Sequence, residues 1–265
     1  MSRALPVLLE RRDAIVTLTL NRPQALNALD EPMIDRLVEC AAQLATDTTV
    51  KVVVIQGAGN HFMAGGDLRT FQSLLRAGLR ARDDIHALIA RVHAAIELLA
   101  RMPHPLVASV HGAVAGFGLS LMCACDLAVA ADDAYFTSAY RNIGITPDGG
   151  GTWSLPRIVG LRKAMEIVLL SERFDAQEAL RIGLVNRVVP AAERIEATRV
   201  LTQRLAAGSA TALRNAKRLL RRSSEQTFSE QLAAEAESFA RCAAGRDFAE
   251  GVEAFLARRA PKFDS

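Results

Sequence analysis

Hydrophobic positions along the chain change period several times, and the changes mark out its elements. Ile15-Val16-Thr17-Leu18-Thr19-Leu20 alternates in β-branched and apolar residues, which predicts a strand ended by Asn21-Arg22-Pro23. Asp30 ahead of Glu31-Pro32 predicts a capped helix running toward Leu44, since a carboxylate accepts from the free amides of a first turn and proline has none to lose there. Residues 50–56 are a continuous apolar run, the pattern of a strand buried on both faces. From Asp83 to Met102, Ile85, Leu88, Ile89, Val92, Ile96 and Leu99 recur at helical spacing until Pro103 and Pro105 stop the helix. Strands are predicted at 106–110, 127–131 and, shorter, 135–137, with a glycine turn and an apolar helix to about Cys125 between the first two. Beyond Leu161 the period is mostly helical: 162–170, then 176–182 with Gly183 as its stop, and after a short strand at 184–189 the segments 191–207, 211–222, 230–244 and a tail at 248–263. Strands interleaved with helices, followed by helices alone, imply an α/β core with a helical region appended.

Composition narrows the class only a little. A chain of 265 residues allows one or two domains, and 50% hydrophobic with 23% charged residues is ordinary for a soluble globular protein. A net charge of +3 suits an anionic small ligand as well as it would nucleic acid. Cys40, Cys123, Cys125 and Cys242 show no C-x-x-C spacing and read as reduced thiols. The first thirteen positions mix Glu10 and Asp13 with arginines and lack a long apolar core, so no signal or transit peptide is read and a cytoplasmic location is expected. The apolar run 106–125 is interrupted by His111-Gly112, Gly116 and Gly118, which predicts strand, turn and helix rather than a membrane span. Lys217, Arg218, Arg221 and Arg222 form a basic helical patch, read as a solvated face, and no zinc, P-loop or Rossmann spacing is present.

Three glycine-bearing turns carry the candidate chemistry. Ala64-Gly65-Gly66-Asp67 and Gly116-Phe117-Gly118 follow buried strands, and the second opens a helix, so both can point backbone N–H groups at an oxyanion. In the third, Pro147-Asp148-Gly149-Gly150-Gly151-Thr152, a lone carboxylate is held between a proline and three glycines. Asp148 either moves a proton or caps the helix after Thr152. Asp67 reads as a turn or helix-start residue, and His86 and His93, on one helical face, as packing or surface residues.

The ordered motifs resemble the crotonase (enoyl-CoA hydratase/isomerase) superfamily. They are Leu20-Asn21-Arg22-Pro23 with Ala25-Leu26-Asn27-Ala28-Leu29, Phe62-Met63-Ala64-Gly65-Gly66-Asp67-Leu68, His111 to Leu127, Gly144 to Thr152 with Leu155-Pro156-Arg157, Ala179 to Val185, and Glu250 to Leu256. The resemblance implies a spiral of β-β-α units over residues 1–200, holding an acyl-CoA site, and a helical trimerisation region over 201–265. It implies an acyl-CoA thioester substrate with no separate cofactor, no metal, no membrane or nucleic-acid partner, and a homotrimer or dimer of trimers. By position, the backbone N–H groups of Ala64 and Phe117 would form the oxyanion hole, though the family usually has glycine where Phe117 stands, so its ring is expected to narrow the acyl pocket. Ala25, Leu26, Gly65, Gly66, Asp67, Leu68 and Gly116 would border the substrate, Tyr140 would shape the acyl site with Asn142 and Trp153, and Arg22, Phe255 and Arg258 are candidates for CoA contacts, the last two from a neighbouring subunit.

The two glutamates of the family's hydratases match Ser120 and Tyr140, neither of which titrates near neutrality. The stretch around Asp148 resembles instead the branch containing ring-1,2-epoxyphenylacetyl-CoA isomerase, from phenylacetate breakdown, whose members also shift enoyl-CoA double bonds. The expected activity is therefore an isomerase with Asp148 as single acid/base. The alternatives are a hydratase using other groups, and a CoA- or RNA-binding homologue without catalysis.

Overall fold

The computed structural model describes residues 5–76 and 81–265. Its larger sheet has six strands in the order β1-β2-β3-β4-β6-β9. These are β1 (Val7–Arg12), β2 (Ile15–Leu20), β3 (Val52–Gly57), β4 (Leu106–Val110), β6 (Leu127–Ala131) and β9 (Arg187–Val189). Only β1 runs antiparallel to its neighbour. Alternation along the strands sorts side chains to two faces. Val53, Ile55, Leu106, Ala108 and Ala130 enter the main core, while Val52, Val107 and Val129 pack with Leu201 beneath α8 (Arg194–Ala206). Coverage on both faces is why these strands read as unbroken apolar runs.

A second, outer layer of strands follows the inner one turn by turn. It contains β5 (Ala113–Ala115), β7 (Tyr135–Thr137) and the two-residue β8 (Phe174–Asp175). Parallel bridges join Leu29 to Gly66 and Met63 to Val114, and β5 pairs in parallel with β7. Each inner strand therefore leads to an outer segment and then to a helix, and successive turns stack in register. The helices are α1 (Glu31–Thr46), α2 (Leu68–Arg76), α3 (Ala81–Arg101), α4 (Phe117–Ala124), α5 (Gly151–Val159), α6 (Leu161–Leu170) and α7 (Ala176–Arg181), then α8, α9 (Ala210–Arg222), α10 (Phe228–Ala243) and α11 (Arg246–Leu256). Asp30 caps α1 through Met33 N–H, as predicted, and Gly183 adopts the left-handed conformation that stops α7. The expected α/β class and β-β-α spiral are those of the structure.

Several expectations need correction. β1 was not predicted, because it is an edge strand with three exposed charged residues, and neither was α2, which buries no residue fully. The short β5 and β8 were also missed, and the strand expected at 184–189 forms only over β9. A division at 200/201 would cut α8, which packs on the large sheet, so the appended helices begin at α9. The run 106–125 is strand, strand and helix, and among the described residues no helix is long and apolar enough to cross a membrane. All four cysteines are free; burial pushes the Cys123 thiol up to about 12 and Cys125 higher still, so neither is a ready nucleophile.

The basic patch on α9 is not a solvated face throughout. Lys217 lies 2.7 Å and Arg221 2.8 Å from the carboxylate of Asp126, and Lys217 also donates to His104 O. Arg214 donates to the carbonyls of Thr48 and Val50 and reaches His104 Nδ1 at 3.4 Å. These bonds staple α9 to the core, while Arg218 and Arg222 remain exposed.

His104 is 1% exposed, and its Nε2 lies 3.1 Å from Leu44 O. Burial, with help from Arg214 and Lys217, holds its pKa below the ordinary 6.5. The unfolded chain therefore takes up this proton first as pH falls. Stability contributed by neutral His104 is complete above pH 6.5 and declines as pH falls from there through the folded value. Thermal melts should show His104→Gln with a flatter stability profile than wild type between pH 7 and 5; parallel profiles would remove His104 as the cause.

Candidate active site

The stacking of outer segments brings the glycine turns together. Met63 N–H donates to Ala113 O at 3.0 Å and Ala115 N–H returns to Met63 O at 2.9 Å, so the chain leaves both segments side by side at Gly65 and Gly116. A methyl built on Gly116 would stand 3.5 Å from Gly65 Cα, and one built on Gly65 would stand 3.6 Å from Phe117 N. Gly116 has φ 53° and ψ −123°, a conformation that essentially requires glycine, and its N–H donates to Thr137 O, tying in the next turn of the spiral.

The N–H of Phe117 is the first of α4 and has no acceptor within the helix. The N–H of Ala64 donates to Leu26 O at 3.1 Å, so an oxygen arriving there must share or displace that carbonyl. Leu26 itself is left-handed at φ 53° and half exposed. Leu29 N–H bonds Gly65 O at 2.8 Å and Asp67 N–H bonds Leu29 O at 2.9 Å, so Ala25, Leu26 and residues 64–68 form one rim, with Leu68 exposed at the start of α2.

Asn27 builds this rim, and sequence reasoning gave it no role. It is fully buried and left-handed; its Oδ1 accepts from Arg22 N–H at 2.9 Å, and its Nδ2 donates to Ala58 O at 2.9 Å and His61 O at 2.7 Å. Its place within the 25–29 motif was the available signal. Arg22 is likewise structural: its guanidinium is 3.2 Å from Asp30 and 3.0 Å from Asp67, and it donates to Ala28 O. Those partners occupy the charge expected to meet CoA. Asp67 also accepts from Arg69 N–H, as a helix-start residue does.

Across the rim stands Asp148. Gly149 and Gly150 are both left-handed, at φ 58° and 74°, and Gly151 N–H bonds Asp148 O at 3.0 Å. Gly150, not Asp148, is the N-cap of α5 and no side chain caps it, so the capping role fails. The carboxylate instead accepts the hydroxyl proton of Tyr140. Ser120 Oγ lies 3.4 Å from Tyr140 Oη. Since the phenol's single proton is committed to Asp148, the serine is the donor in that pair. Burial raises the Asp148 pKa, and the hydrogen bond from Tyr140 opposes the rise. Burial and the adjacent carboxylate push Tyr140 upward, so it stays a phenol.

The Phe117 ring is buried against Gly149, where an added Cβ would meet it at 2.8 Å. His93, expected in a packing or surface role, is exposed but reaches the site: its Nε2 accepts from Gly149 N–H at 3.2 Å. Trp153 does not line this cluster. It stacks 4.0 Å from Arg157 over a separate cavity of about 620 Å³ bordered by Cys123, Lys217 and Arg221. Asn142 is exposed, and Phe255 and Arg258 stand at the exposed end of α11, outside the cluster within one chain.

Removing Asn27 would strand the Arg22 amide and two carbonyls, each worth about 1–3 kcal/mol when left unpaired in the interior. Asn27→Ala should lose at least about 2 kcal/mol in urea unfolding; a loss within error of zero would show that the rim does not depend on it.

The family described as Enoyl-CoA hydratase/isomerase matches residues 10–265. A 2,3-dehydroadipyl-CoA hydratase of Escherichia coli (strain K12) is 38% identical over 258 residues, covering 97% of this chain and 98% of its own. A 1,2-epoxyphenylacetyl-CoA isomerase of the same organism is 33% identical over 250 residues, covering 94% of each. The crystal structure of an enoyl-CoA hydratase from Polaromonas sp. JS666 aligns with a TM-score of 0.91 at 34% identity, covering 97% of this chain and 99% of that one. With its spiral of β-β-α turns and a family match over nearly its whole length, the chain belongs to the enoyl-CoA hydratase/isomerase family, within the crotonase superfamily.

Proposed function

We propose that the protein isomerises acyl-CoA thioesters, moving a double bond from the 3- to the 2-position or carrying out a related ring isomerisation, with Asp148 as the one acid/base. The observation that carries this reading is that Asp148 is the lone carboxylate of its cluster: the other two polar side chains in the chain of bonds are the hydroxyls of Ser120 and Tyr140. Adding water across a double bond calls for a base for the water and an acid for carbon, whereas moving a double bond needs one group that takes and returns a proton.

In this mechanism the Asp148 carboxylate removes a proton from the carbon α to the thioester. The electrons pass to the thioester oxygen, which the N–H groups of Ala64 and Phe117 stabilise as an enolate. Return of the proton at the γ-carbon leaves the double bond conjugated with the carbonyl. Coenzyme A is part of the substrate and no separate cofactor takes part. Burial supports Asp148 as a base by raising its pKa. Exposed apolar residues on α6 (Leu161, Met165, Leu169) and on α10 and α11 (Phe239, Phe255, Leu256) support assembly as a homotrimer or dimer of trimers.

A hydratase is the second reading. A void of about 10 Å³ bordered by Ser120, Ser138 and Tyr140 is close to the least space that holds one water. Hydration of crotonyl-CoA at a rate above conversion of 3-hexenoyl-CoA would favour it.

Incubation with 3-hexenoyl-CoA should raise the ultraviolet absorbance of the conjugated thioester, and Asp148→Asn should lower that rate about 10²–10⁴-fold. Full activity in the variant would sink the assignment. Tyr140→Phe removes the bond that holds the Asp148 pKa down, so the acidic limb of its kcat/KM profile should move to higher pH. An unmoved limb would mean that Tyr140 does not tune the base.

A further inference from the structure

His93 holds a polar contact in this site that no part of the proposed chemistry uses. Its Nε2 receives the N–H of Gly149, which is the amide of the Asp148–Gly149 peptide. For Nε2 to accept, the ring must be neutral with its proton on Nδ1. The peptide needs such a partner because of its neighbours in sequence. Gly149 and Gly150 both occupy left-handed conformations, and glycine moves between these and alternatives with little steric resistance. Besides His93, the peptide is held only by the local turn bond from Gly151 N–H to Asp148 O at 3.0 Å; the Phe117 ring blocks retreat toward α4 but offers the N–H no acceptor, and Tyr140 grips only the carboxylate.

The helix that carries His93 is firmly held. Val92 and Ile96 on either side are buried, and Arg91 pairs with Glu31 and Asp35 of α1. A methyl on Gly150 would meet Ile96 at 4.0 Å, so α3 lies against this turn over more than one residue. His93 thus transfers the rigidity of α3 to a turn whose own sequence is permissive.

We propose that His93 is the positioning residue for Asp148: by accepting the Gly149 N–H it selects one orientation of the Asp148–Gly149 peptide and so fixes where the carboxylate points. The inference rests on the proposed role of Asp148 as the base. Its consequence is a loss of turnover rather than of substrate binding, because the rim that borders the substrate lies on other segments. A misplacement on the order of 1 Å can cost up to about 10²-fold in rate.

The test compares His93→Leu, which has no acceptor, with His93→Gln, whose Oε1 reaches about as far as Nε2, and with Asp148→Asn, all on 3-hexenoyl-CoA. His93→Leu should lower kcat about 10-fold or more, up to about 10²-fold, with KM and melting temperature close to wild type, and His93→Gln should recover most of the loss. Wild-type kcat in His93→Leu, a His93→Gln as slow as the leucine variant, or a change confined to KM would each overturn the proposal. A second readout does not depend on the reaction. In ¹⁵N-labelled protein His93 should show the Nδ1–H tautomer, and the Gly149 amide resonance should shift in His93→Leu and return toward its place in His93→Gln. An Nε2–H tautomer or an unmoved Gly149 amide would overturn the positioning role. Full activity of Asp148→Asn with these signatures intact would instead place the failure in the assignment of the base.

Discussion

In-register stacking of parallel outer segments is the constraint on which the rest of the structure depends. Met63 pairs with Val114 and Val114 with Phe136, so three successive turns of the spiral end at the same height. Whatever follows those segments in sequence is then delivered to one place: Gly65 after the first, Gly116 and Phe117 after the second, Tyr140 after the third. The turns are close enough that backbone meets backbone at Gly65 and Gly116. Residues far apart in the chain thus share a site without any loop reaching across the molecule, and the amides offered there belong to a rigid sheet edge rather than to mobile connections.

The polar groups around this edge divide into those that hold the scaffold and those left to act. Asn27, Arg22, Asp30 and Asp67 satisfy one another and the backbone of the rim. A similar division operates beneath the appended helices, where Asp126 draws Lys217 and Arg221 inward and His104 accepts from α9. Asp148 differs from these carboxylates. Among the described residues it faces no cation at ion-pair distance, and it is held by a phenol, so burial lifts its pKa instead of a salt bridge lowering it. A carboxylate in that condition suits proton transfer better than structural pairing does.

Much of the fold was legible because period and burial coincide in it. The strands at 15–20, 106–110, 127–131 and 135–137 have their predicted bounds, since each puts apolar residues into a core. β1 escaped because an edge strand buries too little to impose a period, whereas α2 carries a helical period, with Phe71 and Leu74 against the core, that was not read. In the site, proline and glycine around Asp148 and the glycine turns at 64–67 and 116–118 could be read directly, since only a few residue types tolerate those backbone conformations. The role of Asn27 could not, because a buried asparagine and an exposed one look alike in sequence.

The amino-acid sequence by itself determined the inner strands β2, β3, β4 and β6 with helices between them, the family to which its ordered motifs belong, and the lone carboxylate held between Pro147 and three glycines. These follow from residue type and spacing along the chain, which covalent connectivity preserves. Only the tertiary structure decided that Tyr140 donates to Asp148, that Ala64 N–H is engaged by Leu26, that His93 takes the amide of Gly149, and that half of the basic patch on α9 turns inward. Each of those is a contact between separate turns or helices. Its partner is set by the stacking of the spiral and by the need to pair every buried donor and acceptor, neither of which any local stretch of sequence records.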